Sequence, residues 1–149
     1  MLRTKAGIAA ALALTLAVPG AAQAATPKKN AGYTGTTSQG EVVSFVTSKS
    51  GKRVIDLATA LTYTCTGEHN GQSGSFVLDT IKVKGGKFTS HQDLHGTADE
   101  SPVQAGTGVA TGSFKRRGNR VTGRIRSQLT LRSGETCDSG EVTFSANLT

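Results

Sequence analysis

The stretch from Ser90 to Gly96 reads S-H-Q-D-L-H-G, with His91 and His95 each two residues from Asp93. Two histidines and a carboxylate form a recognised ligand set for iron or zinc. Strand geometry works against that use here. Positions i, i+2 and i+4 share one face, but at roughly 3.3 Å per residue the outer pair stands about 13 Å apart. Neighbouring members could bend toward one ion. Bringing all three together requires the strand to stop or kink at Gly96, with Asp99 or Glu100 adding a fourth ligand. A turn at Gly85 and Gly86 pairs Val83 with Phe88, turns Phe88 and Leu94 inward, and sends His91, Asp93 and His95 outward. The expectation is a polar outer face. A metal-binding protein or metal-dependent enzyme built on His91, Asp93 and His95 is the alternative.

Other catalytic patterns are weaker. The chain has no G-x-S-x-G elbow, the strained turn that presents a nucleophilic serine. Glycoside hydrolysis needs two carboxylates across a groove, and the scattered Asp and Glu residues single out no pair. The chain has no Trp and only two Tyr, so no indole platform for sugar stacking exists. The reading is therefore a non-enzymatic module, and nothing in the sequence calls for a cofactor.

A denser signal is basic. Lys115, Arg116 and Arg117 lead into Gly118 and Asn119, and Arg120, Arg124, Arg126 and Arg132 recur at even positions of the next strand. Same-face side chains on a strand repeat about every 7 Å, and guanidinium forks match phosphate oxygens. Lys115, Arg117, Arg120, Arg124 and Arg126 are accordingly expected to contact a polyanion, such as an anionic polymer or cell-surface component. No aromatic is interleaved outward, so base stacking is unsupported. The competing reading is a solvated face that keeps a sheet edge soluble.

The elements that position these residues begin after an N-terminal segment of a different character. Arg3 and Lys5 precede the apolar run A-G-I-A-A-A-L-A-L-T-L-A-V-P-G, and Ala22-Gln23-Ala24 is a small-x-small cleavage pattern. This reads as a secretory signal peptide over residues 1–24, with an apolar core too short to span a bilayer. The expected location is outside the cytoplasm: extracellular, periplasmic or wall-associated. Residues 25–32 are polar and aperiodic and read as a disordered leader. Residues 33–149 make one domain. Loss of Arg3 and Lys5 takes the 17 basic residues to 15 against 10 acids, a net charge of +5.

Cys65 and Cys137 are the two cysteines. In an exported chain they read as one disulfide, worth roughly 4 kcal/mol on the chain-entropy model. A reactive or metal-bound pair is the alternative.

From Tyr33 onward the pattern is β. Residues 53–66 alternate strictly, with Ile55, Leu57, Leu61, Tyr63 and Cys65 on the odd face; residues 120–133 and 141–149 alternate likewise. A three-residue loop at Lys49, Ser50 and Gly51 would pair Phe45 with Ile55 and Val43 with Leu57; a register opposing Phe45 to Asp56 looks worse. Gly118 and Asn119 read as a two-residue turn pairing Arg117 with Arg120. Phe76 and Leu78 differ in parity from Ile81 and Val83, which calls for a bulge near Asp79 and Thr80. Cys137 and Val142 call for a bend at Gly140. About eight strands joined largely by hairpins predict an all-β fold, a two-sheet antiparallel sandwich or a flattened barrel.

The segments Y-T-G-T-T-S-Q-G-E-V-V-S-F-V-T-S-K-S-G-K-R-V (residues 33–54), K-G-G-K-F (84–88), R-V-T-G-R-I-R (120–126) and E-T-C-D-S-G-E-V-T-F-S-A (135–146) resemble a group of small exported actinobacterial-type proteins with two cysteines. The resemblance covers nearly all of residues 33–149. It implies a secreted all-β domain with a disulfide and carries over no activity.

Overall fold

A computed structural model of the protein describes residues 24–96 and 101–149. Residues 1–23 of the expected signal peptide 1–24, and the possible ligands Asp99 and Glu100, lie outside the described residues. Ten strands follow in order: β1 (Gly32–Thr37), β2 (Val42–Thr47), β3 (Arg53–Thr62), β4 (Thr64–Cys65), β5 (Ser73–Lys84), β6 (Lys87–His95), β7 (Val103–Lys115), β8 (Arg120–Leu131), β9 (Thr136–Asp138) and β10 (Val142–Leu148). All pairings are antiparallel. They run β1-β2-β3-β5-β6-β7-β8, and β10 then pairs with both β8 and β1. The ring closes, so of the two expected architectures the barrel is the one formed. Closure pairs most ring strands on both sides, but β5 and β6 diverge beyond their hairpin and leave facing edges unpaired with each other. The wall is thinnest between β5 and β6, whose pairing is confined to Val83 with Phe88 and Lys84 with Lys87.

Neighbouring ring strands run antiparallel and follow one another in chain order, with β4 and β9 interposed, so alternate connections lie at the same end of the barrel. One end carries the β2–β3, β5–β6 and β7–β8 turns and the start of β1. The other carries the β1–β2 turn, the β4–β5 loop, the end of β6 with the start of β7, and the β8–β9 turn. Here these are the first and second ends.

Inward residues fill the interior. At the first end, Tyr33 stacks on Phe45 at 5.0 Å between ring centroids, and Phe114 meets Tyr33 edge-on at 5.6 Å and Phe88 at 6.2 Å. Val43, Leu57, Phe76, Leu78, Ile125 and Phe144 fill the middle. Each such side chain stabilises by roughly 1.5–3 kcal/mol when fully buried. Two rings need glycines opposite them. A Cβ on Gly112 would lie 2.2 Å from the Phe88 ring, and one on Gly123 would lie 2.5 Å from Phe144.

The second end is tied by the disulfide. Cys65 on β4 and Cys137 on β9 are direct cross-strand partners, with Cα atoms 4.0 Å apart. Beneath it the buried Tyr63 hydroxyl donates to Ser127 Oγ at 3.1 Å, and burial pushes the Tyr63 phenol pKa up.

Three expectations about the chain path need correction. The β2–β3 connection pairs Thr47 with Val54 and Val46 with Ile55, the register that looked worse. It works because Asp56 takes a left-handed φ of 53° and forms a bulge. Val54 and Leu57 are then both inward and Ile55 is not on their face. The β7–β8 connection pairs Lys115 with Arg120, and spans Arg116 to Asn119 instead of two residues. Third, residues 25–31 are not a loose leader, for the reasons given below. The change of inward parity near Asp79 and Thr80 is present, with Phe76, Leu78 and Ile81 buried, but the β3–β5 register runs unshifted across it from Leu57–Leu78 to Ile55–Thr80, because β3 changes parity opposite at Ile55 and Asp56. Gly140, at φ 64°, separates β9 from β10.

Candidate functional site

Residues 24–31 lie across the first end of the barrel as a strap. The Ala25 amide donates to Phe114 O at 2.8 Å, and Asn30 N donates to Ser48 O at 3.0 Å. Thr47 Oγ1 donates to Lys28 O at 2.6 Å. The Tyr33 hydroxyl donates to Gly118 O at 2.6 Å and accepts from Lys28 N at 3.3 Å. Pro27 is buried. The strap passes so close to Gly118 that a Cβ there would lie 2.3 Å from Thr26 O. The polar composition of residues 25–32 suggested disorder; backbone bonding to the barrel rim overrides it.

Between the strap and the neighbouring turns runs a groove of about 860 Å³. Ala24, Thr26 and Pro27 form one wall, Ser50, Gly51 and Lys52 another, and the β5–β6 hairpin with Lys84 and Lys87 the third. Lys28, Lys29, Lys49, Lys52, Arg53, Lys82, Lys84, Lys87, Arg116 and Arg117 are all exposed at this end, with Lys115 and Arg120 half-buried. Among the described residues none of them lies within ion-pairing distance of a carboxylate. Three cross-strand pairs there join like charges: Arg53 with Lys82, Lys84 with Lys87, and Lys115 with Arg120. Like charges directly opposite each other destabilise a sheet.

The β7–β8 turn adds strain of a second kind. Arg116 and Arg117 take left-handed φ values of 48° and 58° before Gly118 at 84°. That region suits glycine or asparagine and is unfavourable for arginine. Such departures from local preference cluster where a site over-determines the backbone.

The arginine stripe is divided. Arg120 sits at the first end, where its Nε donates to Ser145 Oγ at 3.0 Å. Arg126, farther along β8, grips Asp138 with Nε at 3.1 Å and Nη2 at 2.6 Å. That fork, first among several hydrogen bonds, holds the Asp138 carboxyl down to about 2. Arg124 reaches Glu141 at 3.4 Å. Two of the five expected polyanion contacts, Arg124 and Arg126, therefore have acids beside them, and among the described residues Lys115, Arg117 and Arg120 do not.

His91, Asp93 and His95 project from the exposed face of β6 opposite Val109, Thr107 and Ala105 of β7. Among the described residues no group of three metal-ligating side chains gathers. The third histidine, His69, is instead bound to Glu135 at 2.5 Å, joining the β4–β5 loop to the β8–β9 turn. Ser133 donates to the same carboxylate at 2.7 Å, and these bonds, led by Ser133, lower the Glu135 pKa. Serine and histidine both bind the acid, so this is a latch between loops and not a nucleophile–base pair, which needs the serine on the histidine.

No protein-family model, curated protein or solved structure matches the chain.

Lys28, Lys29, Lys49, Lys52, Lys84 and Lys87 share the groove's end and stand outside the five residues expected from the sequence to contact a polyanion. A signal for them exists. K-S-G-K-R, K-V-K-G-G-K and K-R-R-G-N-R surround every second turn, whereas Glu41, Glu68 and Glu135 occupy the turns between. In an up-and-down barrel that alternation sorts charge to opposite ends.

Proposed function

We propose that this protein is an exported, non-enzymatic module that binds an anionic polymer of the cell exterior through the first end of its barrel. The observation that carries the reading is the gathering of lysines and arginines from the strap and three separate turns at one end of the barrel, where Lys52, Lys84 and Lys87 line the groove and, among the described residues, no acid pairs with them. Their mutual repulsion is relieved when an anion lies among them. Lysine ammonium groups on flexible stems act as point charges, so recognition is by charge density and not by a planar fork. The lack of exposed aromatics favours a polymer read along its charged backbone. The disulfide fits an oxidising compartment. Arg124 and Arg126, with acids beside them, contribute less than the sequence alone suggested.

The test is retention of the chain beginning at Ala25 on immobilised heparin and immobilised polyphosphate. The reading expects binding at low salt and elution that tracks ionic strength. Passage through both columns at low salt contradicts it.

A further inference from the structure

The strap meets the groove at the bond expected to be cut in export. Ala24 lines the groove beside Lys84 and Lys87. Its carbonyl carbon and oxygen lie 2.9 and 3.0 Å from where Gly86 would carry a Cβ. The nitrogen on the other side of that bond, Ala25 N, is fixed on Phe114 O at 2.8 Å.

We propose that hydrolysis of the Ala24–Ala25 peptide bond completes the binding groove, with the new α-ammonium of Ala25 as a fixed cationic group in its wall. The cut is made by an endopeptidase that accepts small residues at positions 22 and 24. Water adds its oxygen to the Ala24 carbonyl carbon, the C–N bond breaks, and the departing nitrogen takes up protons as an ammonium. Residues up to Ala24 leave as a carboxylate. One ammonium hydrogen keeps the bond to Phe114 O, and the others turn to the space Ala24 occupied. The strap's anchors at Lys28 and Asn30 lie downstream of the cut, so they hold this charge in place. A fixed charge loses little conformational entropy on binding, unlike a lysine stem.

The geometry also orders the events. A peptidase needs its scissile segment extended and accessible, yet in the folded chain this bond lies against Gly86. Cutting therefore precedes seating of the strap. The inference rests on the polyanion reading, and its test separates the two.

Three forms are compared for affinity to long-chain inorganic polyphosphate: the chain beginning at Ala25, the same chain Nα-acetylated, and a chain retaining residues 20–24. The acetyl group restores a carbonyl at the Ala24 position and removes the charge. Affinity is expected to be several-fold higher for the free ammonium, with a salt slope steeper by roughly one. The advantage should fade as pH rises past about 8, the range in which an α-amino group loses its proton. Equal affinity of the free and acetylated forms, at equal thermal stability, overturns the inference and leaves the polyanion reading standing. If no form binds, both fall. N-terminal sequencing of exported protein should begin at Ala25; a start within the strap overturns the inference independently.

Discussion

Lys84 and Lys87 stand directly opposite each other across the Gly85 and Gly86 turn, and among the described residues no carboxylate lies within ion-pairing distance of either. Arg53 with Lys82 and Lys115 with Arg120 repeat the arrangement at the same end of the barrel. A cross-strand pair of opposite charge would stabilise each of these turns. Their like charges therefore trade stability for something else.

Replacing Lys87 by Glu converts one such pair to an attractive one. Urea unfolding should show a gain of about 0.5–1 kcal/mol, while affinity for a polyanion falls. Loss of stability in this variant would mean that repulsion across the turn is not what the structure stores there.

Tyr33 links the strap to the barrel. Its buried hydroxyl joins Gly118 and Lys28, and burial raises its pKa. Tyr33→Phe keeps the stacking on Phe45 and removes both bonds. A loss of about 1–2 kcal/mol is expected, with faster hydrogen exchange at the Lys28 amide and earlier proteolysis near residues 28–30. Unchanged exchange there would show that the strap is held by other contacts.

The disulfide closes a 72-residue separation at the second end. Cys65→Ser with Cys137→Ser should lower unfolding free energy by roughly 2–4 kcal/mol. The groove lies at the opposite end, so polyanion affinity in the folded variant should be unchanged. A parallel loss of binding would tie the two ends together.

The acid side of the stability curve should report Asp138. Its carboxyl is held at about 2 in the folded chain against an ordinary value near 3.8, chiefly by Arg126. A depressed folded value means the contribution is fully present above pH 4 and is lost as pH falls through 2. The pair is partly exposed, so salt should weaken the effect. Asp138→Asn should remove part of the stability drop between pH 4 and pH 2. An identical drop in the variant would show that the pair does not contribute.

Much of the fold was legible because inward residues alternate strictly in β8 and β10, and because Gly85 and Gly86 admit only a tight turn. The β2–β3 register was not legible. Asp56 falls at an outward position of a strictly alternating run, and that alternation masks the left-handed φ, which aspartate tolerates better than most residues, that lets Val54 and Leu57 face inward together. Arg116 and Arg117 hid the β7–β8 turn, since arginine is not a turn residue for positive φ. The strap's order was not legible because it comes mainly from distant partners, Phe114, Ser48 and Thr47, with Tyr33 adding a nearer bond to Lys28. The groove needed topology: Lys28, Lys52, Lys84 and Arg117 are far apart in sequence, and ring closure brings their turns to one end. Arg124 and Arg126 drew attention through their spacing, but spacing does not show that Glu141 and Asp138 lie beside them.

The most direct measurement is the salt dependence of polyphosphate binding for two sets of variants. One replaces Lys49, Lys52, Lys84 and Lys87 by Gln; the other replaces Arg124 and Arg126 by Gln. The account predicts that the lysine set binds much more weakly, with a slope of log affinity against log salt shallower by about one per lost contact, while the arginine set stays close to the parent. Equal weakening in both sets, or weakening confined to Arg124 and Arg126, would contradict it.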